Sequence, residues 1–411
     1  MEMRDFVVRF AGEGGQGVVT SAEGLAQAAT QVGYHAQTFA TFPSQIMGGP
    51  TWTQARIAVD PVLSAGDDVD VLVAFNQDAY DEHNSEVRDE GVIIFNSNEF
   101  QLEGDSRGFG LPFDEIARST GNNRAANMVI IGALAHLVDM PQQYLEEFVT
   151  KRFTRGRSGD EEIIRSNIQA MTLGREHISE SGLALGALAA PNPPDFAQIM
   201  LKGNEALALG ALAGGLDFYV GYPISPATTI LLYMERNLVG EGKFAHQVSS
   251  EIESITAILG AGFAGKKAMT ATAGPGFSLM SEGLGLGWIA EIPLVVVDVQ
   301  RGGPATGLPT KTEQSDLMAC MFPAHGDVKM PIIAVGTVEE CFYGAIKALT
   351  WSERYQGPVI LMTEMALAER VQNIAKPDLS QVENQRRQVY EGTNGYHRYA
   401  GFELSPMPLP G

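Results

Sequence analysis

Short apolar runs that stop at glycine alternate with longer segments of small apolar residues at helical spacing over most of this chain. In the N-terminal half, residues 6–11 predict a strand and residues 18–31 a helix, joined by the Gly-rich Gly12–Gly17. An extended piece at 35–42 leads into a polar, Gly-rich loop at 43–50, with further strands at 53–59, 69–75 and 91–96. A helix is predicted at 125–138, capped by Asn122 or Asn123. Residues 140–182 carry charges at helical spacing and predict a solvated helix pair. Strands alternating with helices predict a mainly parallel sheet.

Ala189-Ala190-Pro191-Asn192-Pro193-Pro194-Asp195 breaks this pattern and marks a linker. A second unit follows. Strands are predicted at 216–220, 243–248, 267–272, 294–299, 332–335 and 359–362, and helices at 203–215, 227–237, 251–264 and 277–290. Gly274-Pro275-Gly276 reads as a turn before the last of these helices. The expected organisation is two α/β domains, at 1–188 and 200–375, with a Pro-rich linker at 189–199. Residues 376–411 read as a linker or tail leading to a further domain.

Composition narrows the function classes. At 411 residues, 45% hydrophobic and 19% charged, the chain can bury two or three cores. Its net charge of −21 argues against nucleic acid, which needs a basic face. Cys320 and Cys341 cannot form a disulfide framework or hold an iron–sulfur cluster by themselves, and no metal-ligand spacing is seen. No long apolar run or signal-like N-terminus is present, so a cytoplasmic protein without a membrane span is expected.

Three segments carry candidate chemistry. Gly12-Glu13-Gly14-Gly15-Gln16-Gly17 lies between a strand and a helix, where Gly12, Gly14, Gly15 and Gly17 can let backbone amides approach a phosphate. A dinucleotide site also needs an acidic residue after the next strand, and none occurs between Gly24 and Val59. Another phosphate ligand, or a tight turn with no ligand, remains. Tyr222-Pro223-Ile224-Ser225-Pro226 is held extended by its prolines at a strand's carboxyl end, either as a ligand loop or as a rigid turn. In Ser249-Ser250-Glu251-Ile252-Glu253, the acids either complement a helix dipole or, where buried among the following apolar residues, resist ionisation.

These segments, with Lys202–Ala206, Thr270–Met280 and Gln300–Leu317, resemble the pyrimidine-binding domain of 2-oxoacid:ferredoxin oxidoreductases. The N-terminal Gly-rich loop and Asp70–Asn76 resemble the family's gamma module, here fused ahead of the alpha module. The resemblance implies a thiamine-diphosphate enzyme. By position, Glu251 matches the glutamate that bonds the aminopyrimidine, with Pro223, Ile224, Gly274, Pro275 and Gly276 around the cofactor. Ser225 and Arg301 match the positions that hold the substrate carboxylate, with Tyr222 beside them. Lys311 either meets a second carboxylate, selecting 2-oxoglutarate, or is an exposed loop lysine.

The family's Gly-Asp-Gly motif for Mg2+ and diphosphate is missing. A beta subunit is therefore expected to bring that half of the site and a 4Fe-4S cluster, in a dimer of heterodimers serving ferredoxin. Coenzyme A is the expected co-substrate, and the Gly12–Gly17 loop is a candidate part of its site. The alternatives are a pyruvate or branched-chain 2-oxoacid enzyme, a catalytically silent scaffold, and a nicotinamide dehydrogenase, which the missing acidic residue disfavours.

Overall fold

The computed structural model describes residues 2–41, 48–193, 196–382 and 384–387. Residues 43–47 of the predicted loop, Pro194 and Asp195 of the linker and the tail from residue 388 lie outside the described residues. The chain divides into two compact units, residues 1–200 with 371–373, and residues 201–370 with 374–411.

The first unit is built on an eight-stranded sheet. Its strand Asp5–Glu13 runs parallel to Val69–Ala74 and antiparallel to Pro50–Ala58, which is in turn antiparallel to His35–Thr41. The sheet is thus mixed rather than mainly parallel. The cause is local: the few residues between His35–Thr41 and Pro50–Ala58 are too short a connection for a parallel crossover, so the chain returns antiparallel. Val371–Ala375, an element the pattern does not predict, adds a further antiparallel partner to His35–Thr41.

The helix Val18–Gln31 has its predicted bounds. Neither asparagine caps Ala126–Leu137. Asn122 instead accepts from the Arg124 amide at 3.1 Å. The charged helix Asp160–Ser179 keeps Glu161, Glu162, Arg165 and Glu176 exposed as predicted, but packs its other face. A Cβ at Gly174 would strike the Val129 carbonyl, and one at Gly132 the Met171 carbonyl, so glycine on each side lets two backbones touch.

The second unit holds a six-stranded sheet in which every pair is parallel. Its first strand, Phe218–Gly221, lies between Phe244–Gln247 and Ala268–Thr272. The chain therefore steps first to one side and then to the other. That reversal opens a crevice at the carboxyl ends of the strands, where open α/β sheets bind ligands. Gly274-Pro275-Gly276 is not a turn ahead of a helix but the first turn of one, Gly274–Leu279, where proline costs no hydrogen bond. A separate helix, Ser281–Ile289, follows.

The opposite end of this unit is closed by charges. Arg387 and Glu353 form a fully buried ion pair at 2.8 Å, and Arg387 also donates to the Gly262 carbonyl at 2.7 Å. Burial alone would raise the Asp217 carboxyl, but hydrogen bonds from Arg386, Lys243 and the Lys267 amide hold it far below the usual range. Burial brings the Lys267 amine down to about 8. Among the described residues no helix is long and apolar enough to cross a membrane.

Candidate active site

The crevice of the second unit is assembled from four strand ends. After Gly221 the chain runs irregularly through Tyr222, Pro223 and Ile224 and then turns over 225–227, where the Thr228 amide donates to the Ile224 carbonyl at 3.0 Å. The predicted extended loop thus ends before Pro226, and the helix begins at Thr228. Asn204, 1% exposed, fixes this loop by donating to the Pro226 carbonyl at 2.9 Å and to Thr229 Oγ1 at 2.7 Å. Each such bond contributes about 1 kcal/mol net. Pro223 and Ile224 are half-buried, while Tyr222 and Ser225 are exposed.

Glu251 opens the helix Glu251–Phe263, whose cap is Ser250 accepting from the Glu253 amide at 3.1 Å. The two acids then part company. Glu253 turns back to accept from the Ser249 hydroxyl at 2.6 Å and its amide at 2.8 Å, bonds that hold its carboxyl below the usual range. It serves the helix end. Glu251 is only 6% exposed and lies against Gly276, where an added Cβ would stand 2.5 Å from its Oε1. No hydrogen bond engages the Glu251 carboxyl among the described residues.

Arg301 follows the strand Leu294–Gln300 and is 5% exposed. Its Nη1 donates to the Ser225 carbonyl at 2.7 Å and its Nη2 to the Thr306 carbonyl at 2.9 Å, which ties two loops together. Its Nε is buried without a partner among the described residues. Burial lowers the guanidinium from its ordinary value, and the charges of Asp316 and Glu251 pull it back. Arg301 lines a cleft of about 610 Å³ with Gly274, Pro275, Thr306, Glu313 and Asp316. A buried guanidinium with an unspent N–H in such a cleft suits a carboxylate.

Lys311 is exposed and is not one of the residues lining the cleft. Its backbone pins the loop instead: its carbonyl accepts from the Gly302 amide at 2.8 Å, and its amide donates to the Leu308 carbonyl at 3.0 Å. Two further acids were missed by the sequence reading. Asp298 is wholly buried in the strand Leu294–Gln300, and Asp316 stands against Gly274. An acid in an otherwise apolar strand, Val-Val-Val-Asp-Val, was the available signal.

These residues fit a flat nitrogen heterocycle beside an anion. Glu251 supplies a buried carboxyl at the edge of a gap that a Cβ at Gly276 would fill. Arg301 supplies the cation.

In the first unit the Gly-rich loop is largely satisfied from within. Gln16 Oε1 accepts from the Glu13 amide at 2.7 Å and from Asn76 Nδ2 at 3.3 Å, and the Gly14 amide donates to the Gly49 carbonyl at 3.2 Å. Gly15 and Gly17 have φ of 100° and 92°, which only glycine adopts without strain.

Residues 209–406 match the profile described as pyruvate flavodoxin/ferredoxin oxidoreductase, thiamine diphosphate-binding, and residues 7–177 match that of pyruvate ferredoxin/flavodoxin oxidoreductase. The 2-oxoglutarate oxidoreductase subunit KorA of Mycobacterium tuberculosis is 32% identical over 92% of this chain and 63% of its own length. The 2-oxoglutarate synthase subunit KorA of Methanocaldococcus jannaschii is 41% identical over 46% of this chain and 51% of its own length. The chain thus spans only half to about two thirds of the curated relatives it matches. A solved 2-oxoglutarate:ferredoxin oxidoreductase from Magnetococcus marinus, with 2-oxoglutarate, coenzyme A and succinyl-CoA bound, superimposes with a TM-score of 0.92 at 36% identity. The match covers 100% of this chain and 72% of that one. The two-unit α/β architecture read from the sequence is shared with that enzyme, and the chain belongs to the 2-oxoacid:ferredoxin oxidoreductase family.

Proposed function

We propose that the chain is the alpha subunit, with a fused gamma module, of a 2-oxoglutarate:ferredoxin oxidoreductase. The reaction joins 2-oxoglutarate and coenzyme A to give succinyl-CoA, carbon dioxide and two electrons for ferredoxin, or runs in reverse. The observation that carries this reading is the buried pairing of Glu251 with the Gly276 gap, beside Arg301. Thiamine diphosphate, when bound, supplies the carbanion chemistry that releases carbon dioxide.

Glu251 holds the cofactor's aminopyrimidine through a hydrogen bond, with Gly274, Pro275, Gly276, Pro223 and Ile224 around it. Arg301 takes the substrate's 1-carboxylate on its spare N–H groups, and Ser225 and Tyr222 stand at the mouth. Lys311 reaches the distal carboxylate. A beta subunit brings the Mg2+–diphosphate half and a 4Fe-4S cluster, and the assembly is a cytoplasmic dimer of heterodimers. Gly12, Gly14, Gly15 and Gly17 contact the phosphates of coenzyme A. Likeness to the M. marinus enzyme, whose structure holds 2-oxoglutarate, supports 2-oxoglutarate rather than pyruvate as the substrate of this chain.

The test is to purify the native complex and assay reduction of a low-potential acceptor with coenzyme A and a panel of 2-oxoacids. The expected complex is brown, contains thiamine diphosphate, and turns over 2-oxoglutarate fastest. A colourless complex free of thiamine diphosphate would reject the enzyme reading. Faster turnover of pyruvate would reject the substrate.

A further inference from the structure

Two carboxyl groups at the Arg301 cleft remain without a role in the reading above. Asp298 is 0% exposed and its Oδ1 has no partner among the described residues. Its Oδ2 meets the buried thiol of Cys320 at 3.7 Å. The neighbouring strands offer it no cation, because its register partners are Thr272 and Met362. Asp316 lines the cleft, receives no hydrogen bond at its buried Oδ2, and is pressed against Gly274, where a Cβ would stand 2.6 Å from that oxygen. Asp316 precedes the helix Leu317–Met321, its carbonyl accepts from the amide of Cys320 at 2.9 Å, and its amide donates to Gln300 Oε1 at 3.1 Å. This brings its carboxyl to that of Asp298, so that each acts on the other.

Two carboxylates in contact cannot both stay ionised, so one proton between them supplies the missing donor. Asp298, without a cation, holds it, and Asp316 accepts. Burial and the Asp316 charge push the Asp298 carboxyl well above its usual range. Burial and the Glu313 charge raise Asp316, and the Arg301 charge and the contact with Asp298 pull it back. The titratable groups around the pair are therefore Cys320 beside Asp298, Glu313 and Arg301 in the cleft, and Glu251, which acts on Arg301. The segment Gly274–Leu279, packed against Asp316, contributes none.

We propose that Asp298 and Asp316 are a one-proton pair, and that a 2-oxoacid carboxylate arriving at Arg301 draws a second proton into it. The argument is one of charge. Arg301 is the cation that keeps Asp316 ionised. Once its spare N–H groups engage an anion, Asp316 loses that support and gains a second negative neighbour. It then takes a proton from solvent, so each bound anion carries one proton in with it. No bond other than O–H forms or breaks. Asp316 lines the site, and Asp298 is a positioning residue that acts through it. The sign follows from linkage: binding that takes up protons weakens as pH rises. This inference rests on the substrate reading of Arg301.

The experiment uses the assembled complex. Infrared difference spectra without substrate should show a protonated carboxyl band that Asp298→Asn removes, and this arm needs no turnover. Calorimetric titration with 2-oxoglutarate in two buffers of different ionisation enthalpy should give up to about one proton taken up per site. Both Asp316→Asn and Asp298→Asn should lower the uptake, and Asp316→Asn should leave binding as tight or tighter at high pH. Identical infrared spectra for wild type and Asp298→Asn would overturn the shared proton. Binding with zero uptake would overturn the coupling. Failure of every 2-oxoacid to bind the wild type would instead overturn the substrate reading, leaving the infrared result to decide the pair.

Discussion

The chain contains two glycine-rich strand-to-helix junctions, and they differ in what their polar groups do. At Gly12–Gly17 the molecule answers its own demands: Gln16 folds back onto the Glu13 amide, and Gly14 bonds Gly49. At Gly274–Gly276 the neighbours are Glu251 and Asp316, whose carboxyl groups crowd the glycines, while Arg301 Nε nearby stays unbonded. Buried polar groups without partners cost about 1–3 kcal/mol each, so a fold retains them where a ligand completes the set. Glycine spacing alone therefore did not separate the two junctions. The unspent donors and acceptors around them do.

The largest effect expected from breaking this contrast is at Glu251. Glu251→Gln keeps the shape and removes the acid, and should lower kcat about 10²–10⁴-fold with little change in thermal unfolding. Glu253→Gln, two residues away on a satisfied carboxylate, should leave turnover near wild type. Equal losses in both variants would mean that the helix start matters and the buried acid does not. Gly276→Ala comes next. Its methyl group would occupy the space taken by Glu251 Oε1 and Thr272 Oγ1, and a displacement of this kind should cost about 10²-fold in turnover. Measured thiamine diphosphate content should fall with it.

Stability should follow the satisfied groups instead. Glu353→Ala leaves Arg387 charged and buried, and should destabilise the second unit by about 3–5 kcal/mol in denaturant unfolding. Activity per folded molecule should be unchanged, because this pair lies at the far end of the sheet from the cleft. A variant that unfolded normally but lost turnover would erase the division between structural and functional charges.

Much of this was legible before the fold was known. The prolines at 223 and 226 mark the loop that keeps the helix from starting before Thr228, and Ser250 set the cap that places Glu251 first in its helix. What escaped the sequence was long-range. Asn204 reads as a helix-start residue, yet it bonds Pro226 and Thr229 across space. Asp298 and Asp316 are 18 residues apart by number and meet only because a long loop folds back to the strand end. The antiparallel pairing in the first unit was within reach, since the connection between its strands is too short for a parallel crossover. The partner Val371–Ala375 was not, because nothing local ties it to His35–Thr41.

Lys311 tests whether an exposed side chain reads the substrate. It sits on a pinned backbone but outside the cleft, so its contribution should be that of a solvent-screened ion pair. Lys311→Ala should raise KM for 2-oxoglutarate about fivefold and leave pyruvate unaffected, with the gap narrowing as salt is added. Identical KM values across salt would assign distal-carboxylate recognition to another residue.

The smallest effect bears on the first junction. Gln16→Ala removes the acceptor shared by the Glu13 amide and Asn76. Both donors can turn to water at this exposed position, so unfolding should shift by only about 0.5 kcal/mol. The informative reading is the KM for coenzyme A. If Gly15 and Gly17 present a helix start to its phosphates, loosening the loop should raise that KM about twofold at constant kcat. A KM that stays fixed while stability falls would leave this junction a self-contained turn, and would place the coenzyme's phosphates on a different part of the chain.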